Sequence, residues 1–346
     1  MIPLVANLTF AAADIAAILV LRRTGSPVYA VLAASLGLLG LVLVGRFGLG
    51  WGMFGLMQAT CWGLFLHAPA LLVAISIVTR RTLPALLGGA LALVGVDAFL
   101  VEPRWLEVTT TRIAIEGLQA PLRILLVADL QTDHIGAYER ASLQAVKDAK
   151  PDLVLFAGDY VQSRDPTVYA AETAALNVAL RGLVAPLGGI AVRGDVDSDS
   201  WAAIFAGLPI VAAASSRTFD LGPIVVTALA PEDAASSRPP IPLSAKPHLV
   251  LAHRPDVALT APDVDLVVAG HIHGGQVRLP VFGPLVTLSK VPRSWSVGLT
   301  RLPEHGQLYV SRGIGMERSD APRLRFLCRP ELAILDLEPA VSSSGR

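Results

Sequence analysis

Residues 1–100 contain neither lysine nor glutamate, and their only charged side chains are Asp14, Arg22, Arg23, Arg46, Arg80, Arg81 and Asp97. So little charge cannot clothe a soluble domain of that length, which excludes an ordinary water-exposed surface for this part of the chain. The two cysteines, Cys61 and Cys328, are far apart and offer neither a disulfide framework nor a cysteine-based zinc pattern. Basic and acidic residues balance at 28 each, with no basic stripe interleaved with aromatics, so nucleic acid is not expected as a partner. No internal repeat is present, which excludes a solenoid. What is there is apolar: the chain is 53% hydrophobic and 16% charged, with a mean hydropathy of +0.57. Part of it must lie in lipid.

Four apolar segments, 3–21, 28–44, 56–78 and 83–101, approach the ~20 residues that cross about 30 Å of hydrocarbon. The first is not expected to be a signal peptide, because Arg22 and Arg23 follow it rather than precede it and no small-residue cleavage site is evident. Small residues near Gly37 and Gly88 would let helices approach closely, as in a bundle. Arg22, Arg23, Arg80 and Arg81 flank one side of the segments, against Arg46 and Arg104 on the other. The positive-inside tendency then places the rest of the chain outside the cytoplasm, as a multi-pass protein of the cell membrane. Asp14, Asp97 and His67 sit at membrane depth, where the expectation is snorkelling or pairing within the bundle rather than a relay.

From Trp105 onward the composition is that of a globular domain. LEVTTTRIAI reads as a β-branched strand, and apolar runs then alternate with helical stretches around 138–149 and 168–183. The pattern argues for an α/β domain with a largely buried sheet. Residues 234–247 form a Ser/Pro-rich surface loop. The organisation expected is four transmembrane helices over 1–104, an α/β domain over 105–338 and a disordered tail over 339–346.

Five apolar runs end in potential metal ligands: Asp129 after RILLVA, Asp159 after DLVLFAG, Asp195 after GGIAVRG, His253 after PHLVLA, and His271 with His273 after VDLVVAG. An aspartate after a strand is commonly a turn or cap, and a lone histidine is usually structural. Capping does not require all five at the same end of a sheet, whereas a composite site outside the carboxyl ends of strands does. His271 and His273, two apart in an extended stretch, would project to the same side.

These blocks resemble the calcineurin-like metallophosphoesterases, and specifically their membrane-anchored bacterial branch. Here the family's ordered motifs read Asp129-Leu130-Gln131, Gly158-Asp159, Gly194-Asp195-Val196-Asp197, His253 and Gly270-His271-Ile272-His273, and the runs GHIHGGQVRLPVFGPL and LYVSRGIG look like that branch. The resemblance implies an α/β sandwich, its sheets flanked by helices, behind the transmembrane bundle. It also implies two divalent ions (Mn, Mg, Fe or Zn), bridged by Asp159, with Asp129, Gln131 and His273 on one and Asp195, His253 and His271 on the other. Such a pair clamps the attacking and leaving oxygens of a phosphoryl displacement, and a water bound there becomes the nucleophile.

Three positions depart from the family pattern. Gln131 replaces a histidine and Asp195 an asparagine, which favours harder metals over zinc. Val196 stands where the family has its catalytic histidine, a group worth roughly 10²- to 10⁴-fold as a general acid. His134, in the loop after Asp129, is the candidate substitute, and Arg193, Arg254 and Arg312 are candidates to attract a phosphate. The expected function is hydrolysis of a phosphoester or phosphoanhydride in a phosphorylated small-molecule or lipid-linked or nucleotide-linked substrate. The alternative is a catalytically silent metal-binding membrane protein. Oligomeric state is not legible.

Overall fold

The computed structural model describes residues 2–260, 264–303 and 306–340. The chain divides into two compact units, the first comprising Met1–Val101 with Glu317–Arg323 and the second Glu102–Met316 with Leu324–Arg346.

The first unit contains four helices long and apolar enough to cross a membrane: α1 (Ile2–Thr24), α2 (Pro27–Gly48), α3 (Met53–Thr79) and α4 (Thr82–Arg104). Each of the last three carries one π-helical turn, at Val44–Gly48, Gly63–His67 and Asp97–Val101 respectively. Most leucines and valines of these helices face outward, as lipid-facing side chains do. Small residues face inward: a Cβ at Gly88 would come within 3.0 Å of the Pro69 carbonyl and 3.2 Å of Leu72, so α3 and α4 touch backbone to backbone there. The pairing expected at membrane depth holds for Asp14 and His67. His67 Nδ1 lies 2.7 Å from Asp14 Oδ2, and its Nε2 lies 3.0 Å from Asn7 Oδ1.

The second unit is a sandwich of two six-stranded sheets. In chain order its elements are β1 (Glu107–Ile115), β2 (Leu122–Val127), α5 (Ala137–Asp148), β3 (Leu153–Phe156), α6 (Pro166–Leu180), β4 (Gly189–Ala191), β5 (Ile210–Ala212), β6 (Arg217–Asp220), β7 (Val225–Ala228), β8 (His248–Leu251), β9 (Leu266–Ala269), β10 (Arg278–Leu279), β11 (Gly283–Pro284), β12 (Gly298–Arg301), β13 (Gln307–Val310) and β14 (Glu331–Pro339). The first sheet runs β1-β14-β2-β3-β4-β5, the second β12-β13-β9-β8-β7-β6, and β10 and β11 form a separate small hairpin. The central strands of each sheet are parallel, and β14 is antiparallel to β2.

A period of two sets the layers. Ile124, Leu126, Leu153 and Leu155 point between the sheets, where they meet Val226, Leu249, Leu251, Leu266 and Val268. Their neighbours Leu125, Val127, Val154 and Phe156 point the other way, onto Leu143, Val146 and Leu176 of α5 and α6. Runs buried on both faces therefore read as continuously apolar and were visible in sequence, as was the nine-residue edge strand β1 through its β-branched residues. Strands β5, β6 and β12 were not, because each is an edge strand of only three or four residues, most of them exposed or half-exposed. The tail boundary drawn at Glu338 falls inside paired backbone, since Glu338 and Pro339 lie opposite Ala114 and Ile115 of β1. Residues 341–346 of that expected tail lie outside the described residues.

Candidate metal centre

Both sheets deliver candidate ligands at the carboxyl ends of their strands. β2, β3 and β4 of the first sheet lead into Asp129, Asp159 and Asp195; β8 and β9 of the second lead into His253, His271 and His273. Asp129, Asp159 and His253 have ligand atoms within 4.8 Å of one another, as do Asp195, His253 and His271. The two groups share His253.

The backbone that presents these side chains is strained. Asp129, Gln131, Asp159, His271 and His273 all adopt positive φ, between 35° and 71°. Each such non-glycine residue costs of order 1–3 kcal/mol and persists only where its surroundings over-determine it. His271 and His273 therefore do not extend the strand as the sequence suggested. They sit in tight turns past its end, with Ile272 near the right-handed helical region between them.

Hydrogen bonds supply the over-determination. The buried Asp197 carboxylate accepts from the backbone N–H groups of Asp159 (2.9 Å), Tyr160 (2.8 Å) and Gly194 (2.8 Å), tying two ligand loops together. Val196 N–H donates to Asp159 Oδ1 at 2.9 Å, and His271 N–H to both oxygens of Asp129 at 2.9 Å. Packing is equally close. A Cβ at Gly194 would fall 2.1 Å from Asp159 Oδ1, and one at Gly313, in the RGIG run, 2.7 Å from the Asp129 Cβ. Arg325, fully buried, donates to the carbonyls of Arg312, Gly313, Gly315 and Cys328 and so fixes that run. The roles of Asp197 and Arg325 were not legible in sequence, because each acts on backbone groups brought to it by the fold.

The imidazoles meet the carboxylates acceptor to acceptor. His253 Nδ1 donates to the Ala157 carbonyl (2.8 Å), which leaves Nε2 with a lone pair 3.4 Å from Asp159 Oδ2 and 3.6 Å from Asp195 Oδ2. His271 Nε2 donates to the Leu288 carbonyl (3.1 Å), which points Nδ1 at Asp195 Oδ2 from 3.1 Å. Buried Nε2 of His253 and Nδ1 of His273 have no hydrogen-bond partner among the described residues. Lone pairs converging in this way require a positive charge between them, either protons or metal cations.

The titration behaviour reports the same surplus of negative charge. Burial pushes the Asp129 carboxyl up to about 7, against the pull of His253. For His253 burial favours the neutral ring, but Asp159, Asp195 and Asp129 prevail and raise it to about 10. Asp195 is held well below the carboxylate range: partial burial opposes this, and the imidazoles of His253 and His271 with the Arg254 guanidinium outweigh it. His273 is kept neutral by burial and by the charge of Arg325, the form in which an imidazole can coordinate a metal.

The remaining candidates divide. Arg254 Nη2 lies 2.7 Å from Asp195 Oδ2 and its Nε donates to both carboxylate oxygens, so it borders the centre and balances the anion that Asp195 adds. Arg193 pairs with Glu232 and Asp199. Arg312 is engaged by Glu107 (2.9 Å) and Glu331 (3.4 Å). Gln131 is buried beside Gln162, to which its Nε2 donates at 3.2 Å. His134 has a side chain 74% exposed and pairs with Glu172 at 3.2 Å.

Comparison with known proteins decides the family. The calcineurin-like phosphoesterase profile matches residues 122–275. The phosphodiesterase YaeI of Escherichia coli (strain K12) is 30% identical over 259 residues, which cover 68% of this chain and 90% of that protein. The chain belongs to the calcineurin-like metallophosphoesterases. The uncharacterized metallophosphoesterase YkuE of Bacillus subtilis (strain 168) is 27% identical over 281 residues, 73% of this chain and 94% of the relative. A Danio rerio transmembrane protein with metallophosphoesterase domain is 38% identical over 73 residues, 20% of this chain and 16% of its own. This metallophosphoesterase carries four helices long and apolar enough to span a membrane.

Proposed function

We propose that this metallophosphoesterase uses two divalent cations at the strand tips to hydrolyse a phosphodiester or phosphoanhydride. The observation that carries the reading is the acceptor-to-acceptor approach of His253 and His271 to Asp159 and Asp195. Asp129, Gln131, Asp159 and His273 would hold one ion, and Asp195, His253 and His271 with Asp159 the other. Carboxylate-rich donors with one carboxamide favour manganese, magnesium or iron over zinc. Bound there, such ions polarise a phosphoryl oxygen and lower the pKa of coordinated water.

The protein's own groups do the rest. Asp197 and the Val196 N–H keep Asp159 in place. Arg254 neutralises Asp195, so the centre keeps its attraction for a phosphate anion. No imidazole occupies the position of Val196, and His134 is exposed and paired. Departure of the leaving group therefore relies on its own acidity, which selects pyrophosphate linkages and esters of acidic alcohols over simple alkyl esters. Such linkages occur in nucleotide-linked and lipid-linked substrates. An extracytoplasmic catalytic domain is the reading supported by four basic residues against two in the short loops.

Val196 also favours a second reading, a metal-binding protein without turnover. The full chain in nanodiscs, loaded with manganese and given an aryl phosphodiester, separates the two. Metal-dependent turnover lost in Asp159→Ala supports hydrolysis; equal background in both proteins, across manganese, magnesium, iron and zinc, supports the silent reading.

A further inference from the structure

The run that follows the GHIH motif carries a feature that phosphoester hydrolysis does not use. Among the exposed large apolar side chains of the catalytic domain, Leu279, Val281, Phe282, Leu285 and Leu288 fall within ten consecutive residues, around the β10–β11 hairpin. Val281 at its tip is fully exposed and Phe282 is 57% exposed. The segment 266–303 contains Arg278, Lys290, Arg293 and Arg301 and not one acidic residue. Lys290 and Arg293 are exposed, and the Arg293 guanidinium lies over the Phe282 ring at 4.8 Å.

The tip is also built against its residue type. Val281 has φ 68°, and the Phe282 N–H donates back to the Pro280 carbonyl at 2.8 Å, which makes a γ-turn of the rare, strained hand. In water that conformation suits glycine, asparagine or aspartate, and a β-branched valine is its poorest occupant. Leu288, also at positive φ (51°), gives its carbonyl to His271 Nε2 at 3.1 Å. One end of the apolar loop is thus bonded to a residue of the metal centre.

We propose that the 279–288 loop inserts its apolar tip into an anionic lipid surface, and so presents phosphoester headgroups to the strand-tip centre. An apolar edge flanked by basic residues and free of carboxylates is the composition of an interfacial membrane element. Anionic headgroups complement Lys290 and Arg293. The occupant is also at hand: only Trp105 and Leu106 intervene between α4 and β1, so the domain is tethered directly to its own bilayer. Delivery of a headgroup rests on the phosphoesterase reading above; the lipid contact itself does not.

The test uses the full chain, one copy per nanodisc, in phosphatidylglycerol-rich lipid. Val281→Cys carries an NBD label, as does Leu243→Cys, on a surface loop remote in sequence, and labelled wild type provides the blank for Cys61 and Cys328. Dithionite should reduce the label at 281 several-fold more slowly than at 243. Equal rates overturn the lipid contact, as does protection that appears only in discs holding two copies, which would assign the patch to a second chain. A Val281→Asp/Phe282→Asp double variant should keep wild-type turnover of the soluble aryl phosphodiester and lose most turnover of a vesicle-embedded phosphodiester. Parallel loss of both would make the loop a support of the metal centre and overturn its role at the lipid surface. Absent aryl turnover in wild type sinks the phosphoesterase reading alone, and the label still decides the contact.

Discussion

The histidine–carboxylate cluster of the membrane bundle, His67 with Asp14, and the one at the strand tips, His253 and His271 with Asp159 and Asp195, differ in one respect. In the membrane bundle His67 is closed: Nδ1 faces Asp14 at 2.7 Å, Nε2 faces Asn7 at 3.0 Å, and the Asn7 amide donates to the Pro3 carbonyl at 2.6 Å. At the strand tips His253 and His271 each spend one nitrogen on a backbone carbonyl and aim the other at a carboxylate oxygen. A closed cluster satisfies buried polar groups and asks for nothing more. An open one is assembled around a missing positive charge. Residue types alone cannot separate the two, and the direction of each ring nitrogen does.

The comparison can be sharpened or broken by substitution. The largest effect is expected from Val196→His, which restores an imidazole at the family's position. Turnover of a simple alkyl phosphodiester should rise about 10²-fold or more, while an aryl ester with an acidic leaving group gains little. Rates on the two esters, compared within one preparation, check this; an equal gain on both would show that Val196 does not face the leaving group.

Asp197→Asn is next. Its carboxylate orients Asp159 through three backbone N–H groups, so manganese affinity should fall about 10- to 100-fold, as when an outer partner of a metal ligand is removed. Metal titration of the intact chain measures it, and full rescue of activity at high manganese would mark the residue as a positioning group.

Protons compete for the open cluster. With His253 raised to about 10 and Asp129 to about 7, both hold protons at neutral pH or just below it when no cation is bound. Metal uptake must displace them, so affinity should weaken as pH falls, by about tenfold per pH unit for each proton displaced. Calorimetry in buffers of different ionisation enthalpy counts the released protons; none released would contradict the open-cluster reading.

The smallest effect on chemistry belongs to the closed cluster. His67→Leu should cost about 1 kcal/mol of bundle stability and leave metal content and turnover unchanged. Lost turnover at wild-type metal content would give the membrane histidine a role that its partners do not suggest.

Much of this was legible before any coordinates. Hydropathy marks four spans because lipid tolerates no unsatisfied backbone and little charge. Strands buried on both faces announce themselves as apolar runs, and the acidic or histidine residue that ends each run marks the site. The edge strands β5, β6 and β12 bury too little to leave a pattern. That the runs divide between two sheets, three carboxylates from one and three imidazoles from the other, depends on long-range pairing that no local signal encodes. The extended reading of His271 and His273 failed because Asp129 captures the His271 N–H and turns the chain into positive φ. The Asp195–Arg254 pair was invisible for the same reason, its partners being 59 residues apart.

Metal stoichiometry of the full chain tests the central claim most directly. After loading with manganese and removal of free ion, wild type and His67→Leu should each retain two ions per chain, and Asp159→Ala should retain fewer than one. Equal metal content in wild type and Asp159→Ala would contradict the assignment of the strand tips as the metal centre.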